Sequence, residues 1–291
     1  MIKIIMDSTS DLPDNMIKKY NIDILPLRVL LKEKEHLDKV TISVEEVYEA
    51  MKRDIYPNTS LPNPKSIYEL FKKYASKGIN FIYYAFSSKL SGTYQTAYMI
   101  IEDLKKEFPN VKMAILDTKS GSIASGLIAL QGAKLAKLGA KFEDIIEASI
   151  ENIKNIEHIF TLNDLSWLLK GGRIRKSSAI IGNILNINPI LDVQDGEIKV
   201  IKKIRGRKKA LETLVDMVCE RIKDFPNQII GIAHADDLKV ALMIKEMLIE
   251  RIGHNNVFIE KIGSVLGAHL GIGGVGVFFF NKRPNSYVGE I

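Results

Sequence analysis

The fold class of this chain is indicated most clearly by the stretch 80-NFIYYAFSSKLSGTYQTAYMIIEDLKKEF-108. Its first six residues, Asn80–Ala85, form an apolar run that is typical of a buried strand. The hydroxyl-rich segment 87-SSKLSGTYQ-95 follows. After Gly92, apolar residues recur at positions 94, 97, 98, 101 and 108, which is the period of a helix. Strand, loop and helix in this order predict one unit of an α/β domain.

The N-terminal half repeats this alternation of short apolar runs and amphipathic stretches. We therefore predict an α/β domain over residues 1–155, with a largely parallel sheet flanked by helices. Capping-box pairs, in which a serine precedes a glutamate by three residues, indicate helix starts at Ser43 and Ser66. Further strands are predicted at Ile2–Met6, Ile24–Leu31 and Lys112–Leu116.

The C-terminal half, residues 156–291, is predicted to form a second domain of the α+β class with a mixed sheet. The segment 194-QDGE-197 lies between the apolar runs Ile190–Val193 and Ile198–Ile201, and its Asp-Gly pair is typical of a hairpin. Two long amphipathic helices are indicated after the hairpin. Further strands are predicted at Ile229–Ala233, Val257–Ile262 and Val275–Phe280. We expect a ligand site between the two domains.

The composition narrows the class of protein. The chain has 291 residues, of which 46% are hydrophobic and 26% charged, so a disordered or fibrous protein is excluded. A single cysteine, Cys219, excludes an intramolecular disulfide and a cysteine-built metal site. None of the five histidines lies at metal-ligand spacing from another. We therefore expect no metal.

Two segments indicate whether the protein is secreted or spans a membrane. The N-terminal sequence has one lysine and a short apolar run before Asp7, unlike a secretory signal, so we expect a cytoplasmic protein. The uncharged stretch Ile262–Asn281 carries six glycines and His269, which suits buried or ligand-lining loop and strand better than a membrane span. Its G-x-G-x-x-G pattern runs into a strand-like segment, so a dinucleotide site is not expected.

The net charge of +6 is concentrated in one part of the chain. Between Lys170 and Lys209 there are eleven Lys and Arg residues and three acidic residues, a local surplus of eight positive charges that leaves −2 for the remainder. The segment 170-KGGRIRKSS-178 is predicted to be a cation-rich loop. The segment 202-KKIRGRKKA-210 is predicted to lie at the start of a helix, where cations are disfavoured. That placement suggests a function other than helix stability.

Two hydroxyl-rich loops are candidates for binding an anion. The segments 57-PNTSLPNP-64 and 87-SSKLSGTYQ-95 each lie where an apolar stretch gives way to a helix. One interpretation is helix capping, for which Asn63 before Pro64 is well suited. The other is that the helix amino terminus and the hydroxyl groups bind an anion together. Neither loop carries a G-x-S-x-G or Walker sequence, and anion binding is favoured over catalysis.

Five motifs occur in the order seen in the DegV family, which the chain resembles over residues 2–280. The resemblance rests mainly on SSKLSGTYQ and GGRI taken together, and Asn63 departs from it where the family commonly has serine. The motifs are DSTSDLP from Asp7, Thr59-Ser60-Leu61-Pro62, 87-SSKLSGTYQ-95, 169-LKGGRI-174 and 267-GAHLG-271.

This resemblance implies a bacterial fatty-acid-binding protein of the FakB type, with two domains, that serves phospholipid synthesis. Such a protein buries a long-chain fatty acid and presents the carboxylate to a separate fatty acid kinase. It is not itself an enzyme and has no cofactor. Carried over by motif, Thr59 and Ser91 would bond the carboxylate and His269 would lie beside it. Arg205 would belong to the same network or to kinase recognition.

Other functions stay open at this point. A phosphotransferase or hydrolase would use the anion-binding loops directly. Nucleic-acid binding through residues 170–209 is not expected, because no reader motif accompanies the basic residues. Peripheral contact with a membrane is left open, without a membrane span. Chain-length preference and oligomeric state do not follow from the sequence.

Overall fold

The computed structural model describes residues 2–174 and 187–289, which contain thirteen strands and ten helices. The strands are β1 (Ile2–Asp7), β2 (Asp23–Leu25), β3 (Arg28–Leu31), β4 (Lys34–Leu37), β5 (Asn58–Ser60), β6 (Asn80–Ala85), β7 (Met113–Asp117), β8 (Ile156–Thr161), β9 (Ile187–Gln194), β10 (Glu197–Arg205), β11 (Ile230–His234), β12 (Val257–Lys261) and β13 (Val275–Phe280). The helices are α1 (Asp14–Lys19), α2 (Val44–Met51), α3 (Pro64–Ala75), α4 (Thr93–Glu107), α5 (Ser122–Lys137), α6 (Phe142–Asn155), α7 (Ser166–Lys170), α8 (Arg207–Ile222), α9 (Leu238–Ile252) and α10 (Ser264–Leu270).

A four-stranded parallel sheet in the order β2-β1-β6-β7 organises the N-terminal half. The predicted strands Ile2–Met6 and Asn80–Ala85 are confirmed, and the predicted strand Lys112–Leu116 is shifted by one residue. Side chains of α3 and α4 pack with one face of this sheet in a buried apolar cluster. The parallel order requires the helical crossovers that the sequence pattern predicted.

The prediction of a single strand over Ile24–Leu31 is wrong. The segment forms β2, which joins the parallel sheet, and β3, which joins a separate antiparallel sheet in the order β4-β3-β5. Pro26 lies between the two strands and has no N–H to donate to a ladder, so the chain leaves the first sheet there. The small sheet was not predicted, and it carries Thr59.

The helix starts are partly as predicted. Ser43 and Glu46 form the expected capping box at the start of α2. The start at Ser66 is wrong, because α3 begins at Pro64 and the side chain of Asn63 accepts a hydrogen bond from the N–H of Lys65 at 2.9 Å. The favourable placement of proline in the first helical turn prevailed over the later Ser-x-x-Glu pattern.

A six-stranded mixed sheet in the order β10-β9-β8-β13-β11-β12 organises the C-terminal half. The predicted hairpin is confirmed: β9 and β10 are antiparallel, and the two turn residues Asp195 and Gly196 both have positive φ, 48° and 83°. Positive φ at both positions defines the type I′ turn that Asp-Gly favours. The two amphipathic helices are confirmed as α8 and α9, which pack on one face of this sheet.

Helix α5 lies between the two sheets. Thirteen of its sixteen residues are buried, and a helix that is buried on nearly all sides must be covered by other elements throughout. It packs against β1 and β6 of the parallel sheet and against β8, β11 and β13 of the mixed sheet. One apolar cluster therefore runs from Ile4 to Phe280 through both halves of the chain.

Two further predictions are wrong in part. Residues 264–270, expected as loop and strand, form helix α10, which the small residues of this segment allow to pack closely. Residues 202–205, expected at a helix start, belong to β10; Gly206, with φ of 89°, then turns the chain into α8 at Arg207. The part of the predicted cation-rich loop at residues 175–178 lies outside the described residues.

The fold is thus a mixed α/β fold with one parallel and one mixed sheet, as predicted, and with the small antiparallel sheet β4-β3-β5, which was not predicted. We propose the division into residues 1–155 and 156–291, since α6 ends at Asn155 and β8 begins at Ile156. No helix within residues 2–174 and 187–289 is both long enough and apolar enough to cross a membrane.

Candidate ligand-binding site

The candidate site lies at the carboxyl ends of β1 and β6. These two strands are adjacent in the parallel sheet, and the connections that leave them run to opposite sides, toward β2 and toward β7. Such a reversal leaves a crevice at the carboxyl ends of the strands, where open α/β sheets bind ligands. The segment 86–92 after β6 forms one side of this crevice.

Two buried aspartates of the motif after β1 fix the surrounding elements. Asp7 accepts a hydrogen bond from the N–H of Phe86 at 2.6 Å, which anchors the loop after β6. Asp11 accepts from the N–H of Gly263 at 3.0 Å and from the hydroxyl of Ser122 at 2.7 Å. Burial raises the pKa of Asp7 and of Asp11. The hydrogen bonds of Asp11 place the starts of α10 and α5, and that of Asp7 places the loop after β6, so both carboxyl groups are structural.

Thr59 and His269 meet although they lie on different elements. Thr59 is on β5 of the small sheet, and His269 is in the last turn of α10. The hydroxyl oxygen of Thr59 lies 2.7 Å from Nε2 of the imidazole. The other ring nitrogen, Nδ1, is buried and has no hydrogen-bond partner within the described residues.

The imidazole of His269 packs directly on the backbone of Gly171. A Cβ atom at Gly171 would lie 2.2 Å from Nδ1 of His269, so a side chain there would displace the ring. Burial, and secondarily the guanidinium of Arg173, lowers the pKa of His269 to about 4. The ring is therefore neutral at pH 7, with one donor and one acceptor nitrogen.

Ser91 lies at the amino terminus of α4. Its hydroxyl oxygen is 2.8 Å from that of Thr93 and accepts from the Thr93 N–H at 3.3 Å. The fifteen-residue helix directs its unpaired N–H groups and its positive dipole end toward the same crevice. The hydroxyl of Ser91 thus accepts a hydrogen bond at the start of the helix, as the capping interpretation predicts, and it also lines the cavity, where the anion-binding interpretation requires a hydroxyl group.

Arg173, three residues after the end of α7 at Lys170, supplies the cation of the site. Its side chain donates to the carbonyl of Leu90 at 3.2 Å and to the carbonyl of Gly171 at 2.6 Å. Both acceptors are neutral, so these bonds position the guanidinium without neutralising its charge. Arg173 belongs to the GGRI motif, but it was not predicted as a site residue. Its position in a glycine-rich, cation-rich turn was the signal that could have indicated an anion-binding role.

These four side chains line one cavity of about 180 Å³. Thr59, Ser91, Arg173 and His269, together with the neighbouring Ser60, supply its polar side chains, and the other described lining residues are glycine or apolar. No carboxylate is among the described residues that line it. Hydroxyl donors, a cation and a helix amino terminus at one end of an apolar cavity are suited to a carboxylate or another anionic head group.

A second, smaller cavity of about 60 Å³ continues from the first. It lies between the sheets and is lined almost wholly by apolar side chains. The two cavities share five lining residues, namely Phe86, Leu90, Ile198, Leu266 and Leu270. Movement of these shared side chains would join the cavities into one tract that is polar at one end and apolar at the other.

Arg205, the fourth residue predicted for the site, is placed elsewhere. It is exposed at the end of β10, where it pairs with Ile187, and it does not line the cavity of Thr59 and His269. The structure therefore brings together three of the four predicted residues and adds Arg173.

Within the described residues, no group of three or more His, Cys, Asp or Glu side chains could hold a metal ion.

The fold and the cavity define an α/β protein with a parallel sheet, a mixed sheet and a ligand crevice at the ends of the parallel strands. The chain belongs to the DegV family, whose model matches residues 1–282. It is 36% identical to a DegV domain-containing protein of Clostridium perfringens over 286 residues, which cover 97% of this chain and 98% of the relative.

Solved structures show the same fold. DegV of Bacillus subtilis, described as a fatty acid binding protein, is 30% identical with a TM-score of 0.85, covering 96% of this chain and 99% of that one. A fatty acid binding DegV family protein of Streptococcus agalactiae is 27% identical with a TM-score of 0.87, covering 97% and 99%.

Proposed function

We propose that this protein is a cytoplasmic carrier that binds a long-chain fatty acid and presents its carboxylate to a separate fatty acid kinase. The observation that carries the proposal is the pair of adjoining cavities, one with the polar groups of Thr59, Ser91, Arg173 and His269 and the other lined almost wholly by apolar side chains. The similar proteins from Bacillus subtilis and Streptococcus agalactiae, which bind fatty acids, support it.

The energetics suit such a ligand. Burial of about 15 methylenes at ~0.8 kcal/mol each contributes ~12 kcal/mol before the costs of ordering the ligand and the side chains. The polar end has only to offset the desolvation of the carboxylate and to fix its orientation. Hydroxyl groups, one arginine and a neutral imidazole suffice for that, and they leave the head group near the crevice, where a kinase could reach it.

Fatty-acid binding is tested with the purified protein. Native mass spectrometry should show a co-purified fatty acid, and added palmitate or oleate should raise the unfolding temperature of delipidated protein. Protein that is consistently ligand-free and shows no thermal shift with either acid would contradict the proposal.

The carrier role is tested separately. Acyl phosphate should form from bound fatty acid only when a fatty acid kinase and ATP are both present. Acyl phosphate formation or ATP hydrolysis by this chain alone would favour the alternative, a phosphotransferase or hydrolase. The pair Thr59 and His269 resembles a nucleophile with its base, but within the described residues Nδ1 of His269 has no carboxylate to orient it.

A further inference from the structure

The apolar cavity contains a histidine that the proposed head-group site does not use. His158 on β8 lines this cavity and is only 3% exposed. Neither of its ring nitrogens has a hydrogen-bond partner within the described residues. A neutral imidazole carries one donor and one acceptor, so both remain unsatisfied at this position. Buried polar groups without partners are uncommon in folded proteins, and such a group indicates a ligand that pairs with it or another function.

The ring of His158 is held against the cavity wall. Its register partner on β13 is Phe278, and the two rings meet edge to face with centroids 6.0 Å apart. Phe160, two residues along the same strand, lines the same cavity, whereas the intervening Ile159 packs among the side chains of α8 and α9. Burial lowers the pKa of His158 to about 3, so the ring is neutral at pH 7.

His158 also borders an open groove of about 500 Å³. Ser120 lines this groove and is fully buried, and its hydroxyl likewise has no hydrogen-bond partner within the described residues. The cavity that contains Thr59 and His269 is lined by neither residue. Unsatisfied hydrogen-bonding capacity is therefore present at His158 on the wall of the apolar cavity and at Ser120 in the adjoining groove, both outside the cavity that contains the proposed carboxylate site.

We propose that the protein selects fatty acids that carry a hydroxyl group in the part of the chain distant from the carboxylate, and that His158 hydrogen-bonds this hydroxyl. The inference rests on the proposed function. A hydroxyl group both donates and accepts, so it matches either nitrogen of a neutral imidazole. An unsubstituted chain would instead cover the ring and leave its nitrogens unpaired, which is unfavourable.

The experiment measures dissociation constants for stearic acid and for 10- and 12-hydroxystearic acid, with the wild type and with His158→Phe. In the wild type, one of the hydroxy acids should bind more tightly than stearic acid. We expect the ratio of the dissociation constants of stearic acid and this hydroxy acid to be about tenfold smaller in His158→Phe, because a tenfold change corresponds to one hydrogen bond to a buried group. An unchanged preference would overturn the inference. Thr59→Val is the matched control: it should weaken the binding of all three acids by the same factor.

A measurement on the wild type alone covers the case in which His158→Phe does not fold. The affinity should depend on hydroxyl position, with 3-hydroxystearic acid showing no gain over stearic acid because its hydroxyl lies near the carboxylate. Equal affinity for stearic acid and every hydroxy acid overturns this inference and leaves fatty-acid binding intact. Failure of the wild type to bind any of the acids overturns the proposed function itself.

Discussion

Thr59 and His269 lie 210 positions apart in the sequence, yet the hydroxyl oxygen of the threonine is 2.7 Å from Nε2 of the imidazole. The small sheet β4-β3-β5 delivers the hydroxyl, and α10 delivers the ring. Each element is held by its own contacts, so the pair is preorganised before a ligand arrives. A carboxylate bound here meets donors whose positions are already fixed, which lowers the entropy cost of binding.

Thr59→Val should weaken fatty-acid binding about tenfold while leaving the free energy of unfolding nearly unchanged, since it removes the hydroxyl and keeps the branched shape. Isothermal titration with oleate and thermal unfolding measure the two quantities. Asn58→Ala, on the same strand and exposed, is the matched control. Equal affinity of wild type and Thr59→Val would refute the carboxylate role of Thr59.

Ser91→Ala should also weaken fatty-acid binding, and it should cost about 1 kcal/mol of stability because the Ser91 hydroxyl accepts a hydrogen bond at the start of α4.

Arg173→Gln should weaken the binding of oleate about tenfold and leave the binding of oleyl alcohol unchanged, because the guanidinium acts on the carboxylate charge. The same substitution should raise the pKa of His269, since the Arg173 charge contributes to lowering it. Competition binding and NMR titration provide the measurements. If Arg173→Gln weakens the binding of oleyl alcohol and of oleate equally, the Arg173 side chain acts by packing and not through its charge.

Gly171→Ala should reduce fatty-acid affinity by displacing His269, because the new methyl group would lie 2.2 Å from Nδ1. Gly172→Ala is a neighbouring control. Gly172 has φ of 70° and no atom within 4 Å of its added Cβ, so this variant should lose about 1 kcal/mol of stability to backbone strain and retain the affinity. Titration of both variants compares the two effects, and equal affinities would show that the contact with Gly171 is unimportant.

His269 should make the stability of the apo protein depend on pH. Burial, with the Arg173 charge as a lesser cause, lowers its pKa from 6.5 to about 4, so the stabilising contribution is complete above pH 6.5 and disappears as the pH falls through 4. Relative to His269→Gln, the wild type should lose at most about 3 kcal/mol over this window. The comparison must be with the variant, because the raised pKa values of Asp7 and Asp11 act in the opposite direction. If urea unfolding gives the same difference in free energy of unfolding between the wild type and His269→Gln at all pH values, the assignment of this pH dependence to His269 is wrong.

The exposed basic residues Lys202, Lys203 and Arg205 of β10 are a candidate docking surface for a kinase, and Lys202→Glu tests this role. Lys202 is exposed on β10, so charge reversal should leave the fold and fatty-acid affinity unchanged while slowing acyl phosphate formation with the kinase. Arg207 is unsuitable for this test, since its guanidinium donates to the carbonyl of Gly273 at 2.5 Å and is partly buried. An unchanged rate with Lys202→Glu at low ionic strength would remove the docking role.

Local patterns predicted much of the secondary structure. The strand Asn80–Ala85, the hairpin with Asp195-Gly196 and the capping box of Ser43 and Glu46 depend on neighbouring residues, and all are confirmed. Other predictions of strands were wrong, because a nearby residue or tertiary packing determined the local structure more strongly than the local pattern. Pro26 divided one expected strand between two sheets, and α10 formed where apolar and glycine residues had suggested loop and strand.

Periodicity and turn chemistry predicted the alternation of strands and helices, because these patterns depend on neighbouring residues. The site residues Thr59, Ser91 and His269 were predicted from the resemblance of the motifs to those of the DegV family. Which of these residues meet depends on the tertiary structure. It placed Arg173 beside Ser91 and His269, left Arg205 outside their cavity and put His158 in the apolar cavity. Contacts across 210 positions depend on how β5 and α10 pack, and packing is a property of the whole core that no local pattern contains.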